Sequence, residues 1–265
     1  MKASILNHLS PAYPWKNQFH FFSSLNSTND EAKRFAISGA PHGTVILADH
    51  QTDGHGRMGR SFHSPKGMGL YISILLRPDC APHELMHLTC AAAVAACDAI
   101  ESVTGLRPGI KWTNDIVWEK RKLGGILTGM GISASGNVDH VIIGIGINCR
   151  QSVQDFPKDL QNMAGSLSMV TNREIDRSKL AAKVMEALWK MDKKLLIDQE
   201  NILSRYRKYC VTLNQDIVLV RGDEKRYGKA IDIDPSGALL VEFSSGKIET
   251  VNSGEVSVRG MYGYL

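Results

Sequence analysis

The chain has 265 residues, with 31 Lys+Arg against 27 Asp+Glu, nine His, five Cys and 43% hydrophobic residues. That is apolar material for a sizeable core, which excludes a disordered or collagen-like chain, and the length suits one large domain or one large plus one small. The formal charge of +4 is small and its lysines and arginines are scattered among acids, so composition gives little support to a nucleic-acid binder.

The longest apolar run, Leu88 to Ile100, carries Asp98 and falls short of the ~20 residues that cross a bilayer. No basic segment followed by an apolar stretch opens the chain, so no membrane span and a cytoplasmic location are expected. Cys80, Cys90, Cys97, Cys149 and Cys210 are odd in number and contain no C-x-x-C pair. They predict reduced, mostly buried thiols and neither a disulfide framework nor a structural zinc site.

In chain order, Gln18 to Phe22 reads as a strand, followed by a capping box of Thr28 with Glu31 and a helix over Ala32 to Ser38, stopped by Gly39 and Pro41. Thr44 to Ala48 is a buried strand by its β-branched and aliphatic content, and Leu70 to Leu76 is another. His83 to Val103 predicts an Ala-rich helix ending near Gly105. Strands over Gly109 to Trp112, Asp115 to Trp118, Gly125 to Ile132 and Val138 to Asn148 then give a largely antiparallel sheet. Cys149 to Arg173 shows no period, and Ile175 to Ile197 and Asn201 to Tyr209 read as helices. From Asp216 onward five short strands, beginning with Ile217 to Arg221 and closing with Val256 to Arg259, suggest a small SH3-like barrel.

Gly54-His55-Gly56-Arg57-Met58-Gly59 matches the dinucleotide fingerprint, and Gly54 to Ser61 is one residue away from a P-loop. Both motifs need a helix directly after the glycines to present amides and a positive dipole end to phosphates. Here Ser64-Pro65-Lys66-Gly67 and a strand follow, which argues against a nicotinamide dehydrogenase. In a strand, loop, strand order the phosphate charge would be met by loop amides and by the forked donors of Arg57 and Arg60.

Three further segments join this loop: Ser27-Thr28-Asn29, Lys111-Trp112-Thr113-Asn114-Asp115 with Lys122-Leu123-Gly124-Gly125-Ile126-Leu127, and Gly144-Ile145-Gly146-Ile147-Asn148. Together, in this order and with Lys111 and Lys122 eleven residues apart, they resemble the biotin protein ligases over roughly Phe21 to Arg259. The resemblance implies an α+β fold, with a mixed, largely antiparallel sheet and flanking helices of the class II synthetase-like kind. It divides the chain into a catalytic part, residues 1–212, and a C-terminal SH3-like barrel, residues 213–265. Only about twenty residues precede the first motif, too few for the DNA-binding module of some relatives, so no DNA partner is expected.

Such enzymes activate biotin with Mg²⁺ and ATP, hold biotinyl-5′-AMP and pass the biotinyl group to a lysine of a biotin carboxyl carrier domain; a homodimer is compatible with the resemblance. By the same likeness Lys122, Arg57, Lys111 and Asp115 carry the chemistry, with Asp115 a proton acceptor for the incoming lysine. Ser27, Thr28, Asn29, Gln51, Gly54, His55, Gly56, Arg57 and Lys122 are the expected biotin contacts. Arg57, Arg60, Lys122, Asn148 and Arg259 are the expected contacts of ATP and the adenylate, with Glu255 beside Arg259. Magnesium would be held by phosphate oxygens and water, with no protein cage. Phe62 could cover the biotin ring, Trp112 reads more readily as core, and Cys149 reads as a small apolar side chain. His55 and Met58 replace arginines of the most familiar bacterial form, making this loop less cationic. His42 to Leu76 would supply strand, lid and strand, the lid ordered by ligand and shielding the adenylate from water. The rival within the same fold is a lipoate or octanoate ligase or transferase, against which the glycine-arginine loop argues.

Overall fold

The computed structural model describes residues 1–252 and the backbone of residues 257–260. Helix α1 (Lys2–His8), not anticipated from the sequence, is followed by β1 (Phe19–Phe22), α2 (Thr28–Ile37) and β2 (Thr44–Ala48). Next come β3 (Gly69–Leu76), α3 (Leu88–Thr104), β4 (Gly109–Lys111), β5 (Asp115–Trp118), β6 (Arg121–Ile132) and β7 (Val138–Asn148). The seven strands form one sheet in the order β1-β2-β3-β7-β6-β5-β4. β1 and β2 pair parallel through α2, whereas the other described pairings in this sheet are antiparallel.

Every residue of β2 and β3 is buried, which is what a strand covered on both faces requires. Alternation sends Val45, Leu47, Ile72 and Ile74 into the main core with α3, and Ile46 and Leu75 against Ala32 and Ala36 of α2. The same alternation turns Ser73 toward α2, under the functional loops. Helix α3 is Ala-rich on the buried side and stops at Gly105, whose φ of 74° provides the left-handed cap. The segment Pro82–Thr104 is long and apolar enough to cross a bilayer by those criteria alone, but most of it is buried in the protein core.

The expected capping box is replaced by another arrangement. Ser27 is the N-cap and the helix starts at Thr28, while the Glu31 carboxylate turns along the helix to Arg34, at 2.6 and 3.0 Å. A charged pair one turn apart holds Glu31 more firmly than a neutral amide behind it. After β7 the stretch read as irregular contains the short helix α4 (Leu167–Thr171); α5 (Arg177–Asp192) ends five residues before the expected Ile197, and α6 (Gln199–Tyr209) follows.

The C-terminal strands β8 (Asp216–Arg221), β9 (Glu224–Ile233), β10 (Leu239–Phe243), β11 (Ile248–Val251) and β12 (Ser257–Gly260) form an antiparallel sheet ordered β11-β10-β9-β8-β12. The turn between β4 and β5 is held from three directions. Trp112 Nε1 donates to Gly237 O at 3.0 Å, Trp112 N donates to Thr212 Oγ1 at 2.9 Å, and Tyr206 OH donates to Thr113 O at 3.0 Å.

Candidate active site

The loops at one side of the large sheet enclose a cavity of about 920 Å³, near the top of the range of about 300–1,000 Å³ usual for ligand sites. Ser27, Thr28 and Asn29 line one wall at the start of α2. Ser27 makes no side-chain cap bond, and Thr28 and Asn29 are oriented from below: Ser73 Oγ lies 2.8 Å from Thr28 Oγ1 and 2.6 Å from Asn29 Oδ1. Asn29 Nδ2 donates to Leu127 O at 3.1 Å. Gln51 also lines the cavity, and it accepts from Thr28 N and Oγ1 through Oε1 while donating to Ser64 Oγ, so it braces the wall.

The glycine-arginine loop forms the cover, between β2 and β3 with a short 3₁₀ turn, Arg57–Gly59, and no α-helix after the glycines. Gly54 lies behind the lining: a Cβ there would come within 2.5 Å of Phe62 O and 2.7 Å of Ser64 Oγ, so its role is close packing. His55 and Gly56 line the cavity, and His55 Nε2 sits 2.8 Å from Asp30 Oδ2 of α2. Arg57 reaches across, donating from Nη1 to Asn114 Oδ1 at 2.9 Å, and burial lowers its pKa from the ordinary value while Asp115 acts in the opposite sense. Arg60 lines the same space. Phe62 faces Gly146, where a Cβ would meet its ring at 2.6 Å, and packs edge-on to Tyr71.

Opposite the cover, Lys111 and Asp115 are register partners on β4 and β5. A bulge between Ile116 and Val117 shifts the pairing with β6 and lets Lys122 point back to Asp115, Nζ to Oδ1 at 2.5 Å. Gly125 flanks this pair at ordinary contact distance, a Cβ there standing 3.4 Å from Lys122 Cε and 3.5 Å from Asp115 Oδ1. The backbone of Lys122 is clamped to the next loop by bonds to Met163 O and from Gly165 N. Among the described lining residues, Arg57, Arg60, Lys111 and Lys122 face one carboxylate, Asp115, so the cavity is strongly electropositive although the whole chain is nearly neutral.

Asn148 lines the cavity too, but its amide is engaged: Nδ2 donates to Gly165 O and Oδ1 accepts from Gln151 Nε2. Trp112 serves as wall and as core at once, 5% exposed with its indole bound to Gly237. The Cys149 thiol is buried, donates to Ile147 O, and is pushed by burial up to about 12, which removes it as a nucleophile. The side chain of Arg259, and Glu255, lie outside the described residues. Sequence reasoning passed over Asn114, although it belongs to the Lys111 to Asp115 motif, and Ser73, whose signal is a lone hydroxyl in an aliphatic strand. Phe156, Leu160 and Met163, on a segment without period, complete the wall and carried no signal.

Residues 21–148 match the Biotin/lipoate A/B protein ligase family, and residues 212–259 match the Biotin protein ligase C terminal domain. The chain belongs to this ligase family. A bifunctional ligase/repressor BirA of Bacillus subtilis is 36% identical over 235 residues, 88% of this chain and 72% of that protein. A biotin--[acetyl-CoA-carboxylase] ligase of Mycobacterium tuberculosis is 28% identical over 248 residues, 91% of this chain and 89% of the relative. The structure of a biotin protein ligase from Aquifex aeolicus in complex with biotin and ATP superimposes with a TM-score of 0.77 at 29% identity, covering 91% of this chain and 98% of that one.

Proposed function

We propose that the protein activates biotin with ATP to biotinyl-5′-AMP and transfers the biotinyl group to one lysine of a biotin carboxyl carrier domain. The observation that carries this reading is that Arg57, from the loop, and the Lys122–Asp115 pair, from the sheet, line one cavity roomy enough for a vitamin and a nucleotide together. In the first step a biotin carboxylate oxygen attacks the α-phosphorus, the bond to the β-phosphate oxygen breaks, and pyrophosphate leaves with the electron pair. The attack brings two anions together, and Lys122, Arg57 and Lys111 offset that charge in a space shielded by the loop. Ser27, Thr28 and Asn29 are assigned to the polar ring of biotin, His55 and Gly56 to its enclosure, and Arg60, Asn148 and Arg259 to the nucleotide side.

In the second step the carrier amine attacks the acyl carbon, the anhydride bond to phosphate breaks and AMP leaves. Asp115 is the assigned acceptor for the ammonium proton, released from Lys122 once the lysine engages the substrate oxyanions. Among the described residues no three His, Cys, Asp or Glu side chains converge, and Asp115 is already paired. This donor set would leave Mg²⁺ to the phosphate oxygens and water, where it supplies further neutralisation of charge.

The match to the biotin protein ligase C-terminal domain and the names of the relatives favour biotin over lipoate or octanoate. We assign catalysis to residues 1–212 and support of the site to residues 213–265, and we place the activity in the cytoplasm, consistent with five free, buried thiols. Purified protein with Mg²⁺ and ATP is expected to release pyrophosphate with biotin and to label a carboxyl carrier domain on a streptavidin blot. Release with lipoate in place of biotin would overturn the assignment, and sedimentation with and without biotin and ATP tests for a homodimer.

A further inference from the structure

Arg177, in the first turn of α5, takes no part in the cavity wall and is 8% exposed. Its Nε donates to Gly69 O at 2.7 Å and its Nη2 donates to Asp49 Oδ1 at 2.7 Å, contacts spanning 108 and 128 residues of sequence. Asp49 directly follows β2 and Gly69 is the first residue of β3. One planar guanidinium therefore grips both stems of the excursion that carries Gly54 to Arg60.

The surrounding bonds tighten the same base. Gly67 N donates to Asp49 O, and Cys149 N and Arg150 N both donate to Met68 O. Arg150 Nε in turn donates to Ile175 O, two residues before Arg177, so the segment entering α5 holds the loop base directly and through Arg150, just after β7. A buried ion pair is weak evidence for stability, because desolvation offsets much of its attraction. Its geometry is more informative: the fork holds the Gly69 carbonyl and the Asp49 carboxylate, one from each stem, in a fixed relation, which an ammonium on a flexible stem does less well.

We propose that Arg177 is a positioning residue for adenylation, setting the spacing of the loop stems so that Arg57 arrives at Asn114 over the cavity. The proposal rests on the reading that this loop covers the adenylate. An error at the base is carried to the tip, and misplacement of a catalytic group by about 1 Å can cost on the order of 10²-fold in rate.

The test compares full-length wild type with Arg177→Lys and Arg177→Met at a temperature where circular dichroism shows them folded. Biotin-dependent pyrophosphate release, the rate of biotinyl-AMP loss, and ligand protection of residues 53–66 from protease are measured. Both variants are expected to lose about tenfold or more in kcat, to shed the adenylate faster and to lose ligand protection of the loop. Full rescue by Arg177→Lys would show that charge alone suffices, and unchanged kinetics in both variants would show a merely structural arginine; either result overturns the proposal. Should neither variant fold, Asp49→Ala frees one arm of the fork and is expected to speed adenylate loss, an unchanged rate overturning the proposal. A wild type that releases no pyrophosphate with biotin overturns the functional reading and this proposal with it, whereas an active wild type with unaltered variants overturns this proposal alone.

Discussion

Lys122 Nζ lies 2.5 Å from Asp115 Oδ1 on the adjacent strand, so the ammonium meets its substrates already paired. The two side chains are 31% and 19% exposed, enough for an incoming carboxylate or phosphate to reach the lysine and exchange with the aspartate. In the proposed mechanism this one contact connects the two chemical steps.

Separating those steps tests the connection. Lys122→Ala is expected to depress adenylate formation by roughly 10³-fold, in line with removal of a dominant electrostatic group. Asp115→Asn should leave pyrophosphate release within about tenfold of wild type and slow single-turnover transfer to the carrier by about 10²-fold, the lower range for loss of a general base. Equal losses in both steps would confine Asp115 to orienting Lys122.

The Arg57 to Asn114 bond joins cover to floor. A hydrogen bond to a charged group contributes about 1.5–3 kcal/mol. Asn114→Ala is therefore expected to accelerate loss of preformed biotinyl-AMP by about tenfold to a hundredfold, read by trapping the released adenylate. No acceleration would mean that Arg57 is held by the ligand alone.

Gly144 has the Asn29 amide directly where a Cβ would project. Gly144→Ala is expected to push Asn29 from Leu127 and Ser73, raising the KM for biotin about tenfold and costing about 1–3 kcal/mol of stability through overpacking. Gly129→Ala, on the same sheet with nothing within 4 Å of the added carbon, is the matched control and should be near neutral in KM.

His87 is 1% exposed, with Nε2 donating to Leu195 O and Nδ1 buried without a partner. Burial lowers its pKa below the ordinary 6.5, so the unfolded chain binds the proton more readily than the folded one. Its neutral form contributes fully above that value, and stability falls as pH drops below about 6.5 toward the lowered folded pKa. Urea midpoints measured across that window should fall less steeply for His87→Gln, whose amide can still donate to Leu195 O. Parallel pH profiles would remove His87 from the acid response.

Cys149 adjoins the last strand of the site, and a thioester route would require its thiolate. With the thiol held near 12 by burial, iodoacetamide is expected to leave it unmodified in the native protein at neutral pH, and Cys149→Ala should retain carrier labelling. Rapid alkylation coupled to loss of transfer would reverse that assignment.

The aliphatic strands were the most readable part of the chain. Thr44–Ala48, Asp115–Trp118 and Val138–Asn148 coincide with the expected segments, because β-branched runs between turn residues leave few other ways to bury them. Helix ends were less legible: Glu31 chose Arg34 over the backbone, a competition that depends on rotamers and not on spacing. The site divides in the same way. Linked motifs named Arg57, Lys111, Asp115 and Lys122, and the fold brings them to one cavity. Gln51 and Asn148 line the cavity as expected residues of the site, and their amides also bond to Thr28, Ser64, Gln151 and Gly165, partners that a motif does not reveal. The bulge that turns Lys122 onto Asp115, and the concentration of cations in a nearly neutral chain, exist only once the strands are paired.

The indole of Trp112 ends on the carbonyl of Gly237, more than a hundred residues downstream. During synthesis the ribosome delivers Arg57, Lys111, Asp115, Lys122 and Asn148 well before it delivers that acceptor. A nascent chain halted between Thr212 and Gly237 would have the turn between Lys111 and Asp115 with one of its three supports missing. The turn between Lys111 and Asp115 therefore gains its third support only once the C-terminal sheet is being made.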